Sequence, residues 1–247
     1  MTGVIVFLIS VLGTIISSMS GGGASIITIP VFLSLGISFP MAMSMHLLSC
    51  AFWVLPSARN YLKGRHVDWL FLILFAGLGL IGVYFGVKLI TSVNERILRT
   101  VAGIMILLVV SLVYFKKELG LEENKSSSKL KERLIYLFSV PMGFYESAFG
   151  SGNGAAFSFI SLHMKGLDFM KALGYYYAIS FPWTVFAAIG LISKGYFNAS
   201  YMIPAVAGSL IGGYIGSRYG RRKGNAFIKT VFVIVGGLLG LKLLLQF

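Results

Sequence analysis

Apolar positions in this chain neither alternate nor recur at the one-faced spacing of a soluble helix; they run on. Continuous apolar stretches lie at residues 40–58, 70–90, 100–115, 170–192, 201–217 and 227–247. Each is near the ~20 residues that carry a helix across the hydrocarbon layer. Two regions behave differently. Residues 4–19 run into Ser20-Gly21-Gly22-Gly23 and then a shorter apolar stretch, 24–36. Residues 135–149 run into Gly150-Ser151-Gly152-Asn153-Gly154 and then 155–164. Each predicts an apolar arm, a glycine break and a second arm too short for an easy crossing. The first run has no basic segment ahead of it and flows into more apolar sequence, so it is expected to be mature protein rather than a secretory signal.

Sliding the chain by about 130 residues brings its halves into register. Ser20-Gly21-Gly22-Gly23-Ala24 falls near Ser151-Gly152-Asn153-Gly154-Ala155. Gly36-Ile37-Ser38-Phe39 meets Gly166-Leu167-Asp168-Phe169, and Lys63-Gly64 meets Lys194-Gly195. Leu80-Ile81-Gly82 with Gly86 meets Leu210-Ile211-Gly212 with Gly216. The glycine and polar coincidences keep one order throughout. The expected organisation is a first repeat at 1–115, a charged linker at 116–134 and a second repeat at 135–247.

Composition narrows the class. Apolar residues make up 57% of the chain and charged residues only 12%, against about 25% charged in soluble domains. Too little polar surface remains to cover a water-soluble globule, which excludes soluble enzymes. The formal charge of +13 does not point to nucleic acid, because the basic residues sit between apolar runs, where they set orientation. If each glycine-broken region enters and leaves on one side, a single face collects sixteen Lys and Arg and the other five. If each crosses once, the split is eleven to ten. The positive-inside rule favours the first arrangement, with both termini outside and the linker in the cytoplasm. Each half then makes an odd number of passes, so the halves are inverted. The expected fold is an all-α polytopic membrane protein of two inverted repeats, each a glycine-broken, re-entrant hairpin plus three transmembrane helices.

Irregular backbone facing lipid is too costly to persist, so the two glycine tips must be buried in protein or line a wet cavity. With short arms they are expected to reach partway and meet near the midplane. The return arms begin at Ala24-Ser25 and Ala155-Ala156, and a helix N-terminus presents free N–H groups and partial positive charge. Two such ends aimed at one point make an anion site without arginine. The candidate substrate-binding residues are therefore Ser20, Gly21, Gly22, Gly23, Ala24 and Ser25 at the first tip, and Ser151, Gly152, Asn153 and Gly154 at the second. Glycines elsewhere in the spans are ordinary helix-packing residues.

Ser20-Gly21-Gly22-Gly23, followed by Pro30, Gly36, Pro40 and Ala42, resembles the first signature of the TauE/SafE sulfite-exporter family. The run from Gly143 through Tyr145, Glu146 and Gly150 to Gly154 is similar to its second signature. The resemblance covers nearly the whole chain and implies a plasma-membrane transporter, of prokaryotic type, for sulfite, organosulfonates or related small anions. It departs where many members carry Thr-Ser. This chain has Met45-His46 there, Tyr175-Tyr176 at the equivalent place in the second half, and Asn153 where a third glycine is common.

Few ionisable groups lie at membrane depth. Glu146 is the one acidic residue inside an apolar arm, a candidate for proton coupling or else a hydrogen-bonded structural carboxyl. His46 and its repeat counterpart Tyr176 flank the expected cavity and complete the candidate site, though a lone helical histidine also serves packing. Lys88 and Arg218 sit near span ends, where snorkelling accounts for both. Cys50 stands alone, and three histidines without metal-binding spacing point to no metal and no cofactor. The function expected is secondary transport of a small anion by alternating access, with the lipid bilayer as the other partner. A passive anion channel is the main alternative, and an intramembrane enzyme a more remote one.

Overall fold

The computed structural model describes residues 2–89, 128–150 and 152–245, with residues 100, 104, 107, 108, 110–115 and 118–123 between them. Ser151, Arg96, Arg99 and residues 101–103, 105, 106 and 109 of the expected span at 100–115 lie outside the described residues. Among those described, every regular element is helical: α1 (Thr2–Ser20), α2 (Ala24–Ser34), α3 (Phe39–Leu62), α4 (Trp69–Leu89), α5 (Lys129–Leu134), a 3-10 turn (Ile135–Phe138), α6 (Ser139–Phe149), α7 (Asn153–Met164), α8 (Phe169–Ile192), α9 (Ala199–Lys223) and α10 (Asn225–Leu245). Five of these, α1, α3, α4, α8 and α10, are long and apolar enough to cross a membrane. Exposed apolar side chains run along α4 (Leu70, Ile73, Leu74, Ile81, Phe85) and α9 (Ile203, Leu210, Ile211, Ile215). Water would not tolerate that surface, and lipid favours it. The chain is a multi-pass membrane protein.

Helices α1 and α2 are separated by the first glycine tip, α6 and α7 by the second. The return arms are short, 11 and 12 residues. The first entering arm is not: α1 has 19 residues, or about 28 Å of helix at 1.5 Å per residue. Only the return arm is too short to cross, so α1 carries its tip further than a pair of short arms would.

Glycine sets how the long helices pack. On α9, Gly208, Gly212 and Gly216 recur every four residues, and α1 lies directly on that stripe. A methyl group added at Gly212 would stand 2.3 Å from the Val11 carbonyl oxygen, and one at Gly216 2.4 Å from that of Ile15. The small face of α1 (Ser10, Thr14, Ser18) completes the contact, with Thr14 Oγ1 donating to the Ser209 carbonyl at 3.2 Å. The same arrangement joins α4 to α6. A methyl at Gly82 would meet the Val140 carbonyl oxygen at 1.9 Å, and one at Gly86 the Phe144 carbonyl oxygen at 2.6 Å. Ser147 donates to the Val83 carbonyl at 3.2 Å. In both pairs the contact positions rise together along the sequence, so the partners run parallel. Each entering arm thus packs on a long helix from the other part of the chain. Helix α3 joins α1 and α9, docking Trp53 on Gly213 and Asn60 on Ser217, and α8 joins α4 and α6, docking Trp183 on Gly79. Between these groups α3 and α8 run antiparallel, with Gly174 against Tyr61 and Leu62 and the Trp53 and Tyr177 rings 5.0 Å apart.

The loops at 59–68, 118–123, 165–171 and 218–229 gather on one face. Arg65 pairs with Asp168 at 2.5 Å, Lys165 with Asp68 at 2.8 Å, and Lys171 with Glu123 at 3.1 Å. Lys229 donates to the Leu119 carbonyl and Asn225 to that of Leu121. Asp68 and Asp168 also accept the Phe71 and Lys171 N–H groups at the starts of α4 and α8, so each aspartate ends a helix and ties a neighbouring loop. The 118–123 segment is docked rather than free in solvent: Gly120 is buried, packs on Phe169 and accepts its backbone N–H at 2.9 Å.

Two outcomes follow from this packing. Gly82→Ala and Gly212→Ala should each destabilise the detergent-solubilised protein by about 1–3 kcal/mol through forced overpacking, read as a lowered thermal midpoint. Gly77→Ala, which meets nothing within 4 Å, should be neutral or gain up to ~1 kcal/mol from helix propensity. The second outcome concerns Asp68. Burial pushes its carboxyl up, but the Lys165 ammonium, the Phe71 N–H and nearby His66 outweigh this and hold it below the usual carboxylate range. A lowered folded value means its contribution is present above about pH 3.9 and is lost as pH falls through the folded value. The group is well exposed, so the effect is below about 1 kcal/mol. Asp68→Asn should flatten the acid limb of a melting profile measured between pH 3 and 7 and leave the neutral-pH rank order of variants intact.

Candidate functional site

The two tips touch. A methyl group at Gly154 would lie 1.9 Å from the Gly21 carbonyl oxygen and 2.5 Å from the Tyr176 ring, and one at Gly22 would lie 3.4 Å from the Gly152 nitrogen. Only glycine lets two backbones approach so closely. Gly21, Gly22 and Gly23 all take positive φ (77°, 124° and 111°), as do Gly150 and Gly152 (64° and 80°), the left-handed region that glycine enters without strain. This backbone turns each chain back on itself, and α2 and α7 start beside each other. Their N-cap residues, Gly23 and Gly152, have no side chain to cap the first turn.

Tyrosines from α3 and α8 satisfy the end of α1. Tyr61 donates to the Ser18 carbonyl and Tyr177 to that of Ser17, both at 2.9 Å. These are last-turn carbonyls with no partner inside the helix. Ser20 turns inward as well: its hydroxyl lies 3.0 Å from the Ile16 carbonyl and 2.9 Å from that of Gly22, so its proton is committed to the tip itself. Ser25 reaches across, donating to the Gly150 carbonyl at 2.9 Å. His46 Nε2 lies 3.0 Å from the same oxygen. A carbonyl can only accept, so the imidazole carries its proton on Nε2 there. Two donors from α2 and α3 thus converge on the carbonyl that ends α6.

Glu146 is the most elaborated group. It is buried, and its carboxylate receives three donors: Asn153 Nδ2 at 2.7 Å and the Tyr176 hydroxyl at 2.9 Å on Oε2, and the Ser180 hydroxyl at 2.8 Å on Oε1. A carboxylate taken out of water persists only with such partners. Asn153, expected at the site as a ligand donor, spends its amide on Glu146 and on the Met142 carbonyl at 3.2 Å. Its Oδ1 is buried and has no partner. Tyr145 does not bond Glu146; it stacks on Phe149 with centroids 4.7 Å apart.

The structure therefore brings together Gly21, Gly22, Ser25, His46, Glu146, Gly152, Asn153, Gly154 and Tyr176, while Ser151 lies outside the described residues. Gly23 and Ala24 sit at the start of α2. Sequence reasoning missed Ser180, although Tyr176 and Ser180 are four apart on one helix and share a face. It also missed a narrow polar cleft beside the first tip, lined by Ser10, Thr14, Thr28, Ser49 and Trp53 together with Ala24, His46 and Ser209. Ordinary Ser and Thr scattered over four helices give no local signal of such a place. Lys88 lies over the Tyr84 ring and Arg218 beside Tyr214 at exposed positions, away from the tips. Among the described residues no three His, Cys, Asp or Glu side chains are grouped to hold a metal ion.

The profile of the sulfite exporter TauE/SafE family matches residues 6–243, which takes in both tips and every helix that positions them. The chain belongs to that family. A probable membrane transporter protein of Haemophilus influenzae is 26% identical over 245 residues, covering 97% of this chain and 93% of that protein. Probable membrane transporter protein ORF9 of a Sinorhizobium species is 27% identical over 96% of this chain and 90% of its own length. Probable membrane transporter protein YdhB of Bacillus subtilis is 21% identical over 97% and 99% respectively. This TauE/SafE protein is accordingly a membrane transporter, similar from end to end to its relatives.

The carboxylate cage can be probed directly. Tyr176→Phe and Ser180→Ala each remove one donor from a buried acceptor, which costs about 1–3 kcal/mol. Each should lower the melting midpoint by several degrees at neutral pH. Ser193→Ala, whose hydroxyl serves an exposed helix end, should not.

Proposed function

We propose that this TauE/SafE protein is a secondary transporter of a small anion of the sulfur-oxyanion or organosulfonate class, working by alternating access. The observation that carries the reading is the meeting of the two glycine tips. It places the starts of α2 and α7 side by side within the bundle, where the positive ends of two helices and neutral donors can replace the hydration of an anion. The family's printed description, sulfite exporter, supports the substrate class.

The architecture proposed is a pair of inverted repeats. Equivalent glycines about 130 apart make equivalent contacts, and the equivalent helices α3 and α8 run antiparallel. The bodies that rock against each other are then mixed: α1, α3 and α9 as one, α4, α6 and α8 as the other, with the α3–α8 seam and the tips between them. The face gathering the basic loops is the cytoplasmic one by the positive-inside rule, in the cell membrane, with both termini outside. On that face Arg65–Asp168 and Lys165–Asp68 tie loops from different parts of the chain, contacts that must part when the site opens inward. Glu146 is the group for proton coupling. Its donors come from the second tip and from α8, so taking up a proton would loosen the tip as the anion moves.

The test is binding and counterflow with the purified protein in detergent and in proteoliposomes. Sulfite, thiosulfate, taurine, sulfoacetate, sulfate, acetate and chloride would be compared. An anion at 100 times its Kd should stabilise the fold by about 2.7 kcal/mol and support saturable counterflow. Asn153→Leu should abolish both, and Glu146→Gln should bind the anion yet lose the pH dependence of transport. Stabilisation by no sulfur anion would overturn the substrate class. Counterflow by Glu146→Gln with an unchanged pH profile would remove Glu146 from coupling.

A further inference from the structure

The two halves carry equivalent tryptophans, Trp53 on α3 and Trp183 on α8, and the structure treats them differently. Trp183 is docked. Its ring lies over Gly79, where an added methyl would be 2.1 Å from a ring carbon, and its indole N–H donates to the Ala76 carbonyl at 2.7 Å. At the position equivalent to Gly79 the other half carries Ser209, 130 residues on, which lines the cleft beside Trp53. Trp53 rests instead on Gly213. Its indole N–H is buried, with only the weak Cys50 sulfur near it as an acceptor. The hydroxyls of Thr28 and Ser49 are buried and unpartnered. All three residues are at least nineteen-twentieths buried, and all three line the narrow cleft that also contains Ala24, the first residue of α2. In the second half the Ser158 hydroxyl is also buried and unpartnered, but Ser49 is replaced by Ile179 and the Trp183 N–H is taken up by the Ala76 carbonyl.

Two buried hydroxyls without partners and an indole N–H that meets only a thiol sulfur, next to a helix N-terminus, form an incomplete hydrogen-bond set, because a buried N–H or O–H left unmade costs free energy. What completes it must accept from all three and fit a narrow space. Resting on the transport reading above, we infer that the anion is held in this first-half cleft by the Trp53 indole N–H, the Thr28 and Ser49 hydroxyls and the start of α2, and that each chain has one such site rather than a symmetric pair. The donor set contains no Lys or Arg. It therefore takes a compact, acceptor-rich oxyanion by neutral hydrogen bonds and excludes ligands that bring N–H donors of their own, such as the ammonium end of taurine. Ser209 is the specificity device: it keeps Trp53 undocked, and the cleft, closed to water in this structure, widens around Trp53 to take the anion.

The experiment is titration of the full-length protein in detergent with sodium sulfite and with taurine at constant ionic strength, followed by melting midpoint and tryptophan emission. Thr28→Val and Ser49→Ala keep the shape and remove a donor. Each should weaken sulfite at least tenfold, while Ser158→Ala, at the Thr28-equivalent position, should leave it unchanged. Trp53→Phe should abolish the emission change, and Trp183→Phe should retain it. Tight taurine binding, unchanged sulfite affinity in Thr28→Val and Ser49→Ala, or equal weakening by Ser158→Ala would overturn the cleft. If those variants also support normal sulfite counterflow, the cleft alone fails. If the wild-type protein neither binds nor exchanges any anion tested, the transport reading fails with it.

Discussion

The approach of one backbone to another at glycine is the constraint on which this structure rests. Between apolar helices in lipid there is no hydrophobic gain from association, so close van der Waals contact and main-chain proximity must supply it. The stripes of Gly208, Gly212 and Gly216 on α9 and of Gly79, Gly82 and Gly86 on α4 let α1 and α6 approach until carbonyls touch where side chains would otherwise stand. Because each arm seats on a helix from the other part of the chain, neither half can be pulled away without opening both seams.

That exchange positions the tips. A glycine-rich turn in the middle of an apolar bundle exposes main-chain groups that lipid cannot satisfy. Here side chains from both parts of the molecule satisfy the tips. Ser25 and His46 serve the Gly150 carbonyl, and Tyr61 and Tyr177 serve the end of α1. Glu146 is caged by groups of the second tip and α8. Many polar groups in the bundle thus hold the tips together, while others, among them Thr28 and Ser49 in the cleft beside α2, are left unmatched. Stability accounts for the first set, and a ligand gives a physical reason for the pair in the cleft.

The charged face works differently from the core. Its contacts are partly solvated ion pairs, individually weak and sensitive to salt, and they join loops that must separate if the bundle opens on that side. A dry glycine seam is poorly suited to reversible separation, because packed interfaces resist gradual deformation. Solvated pairs lie on the loop face and close glycine contacts within the bundle, so the looser and the stiffer contacts occupy different parts of the molecule.

The sequence by itself determined the class, the spans at 40–58, 70–90, 170–192 and 227–247, and the glycine breaks. Apolar run length answers to bilayer thickness, and glycine clusters that interrupt a span have few other uses, so both are written locally. Glycines about 130 residues apart make matching contacts, which made their spacing legible, and Glu146 was legible because an acid in an apolar arm is conspicuous. The long first arm was harder to see, since Ser17, Ser18 and Ser20 end the apolar run before the helix itself ends. Tertiary structure alone decided which helices share a seam, that Asn153 and Ser180 face Glu146, and that the 118–123 segment is docked through Gly120. It also decided that Trp53 and Trp183, identical residues at equivalent positions, have different fates. Whether an indole docks depends on the residue it meets on another helix, Gly79 or Ser209, and a contact between positions more than a hundred residues apart leaves no trace in either neighbourhood.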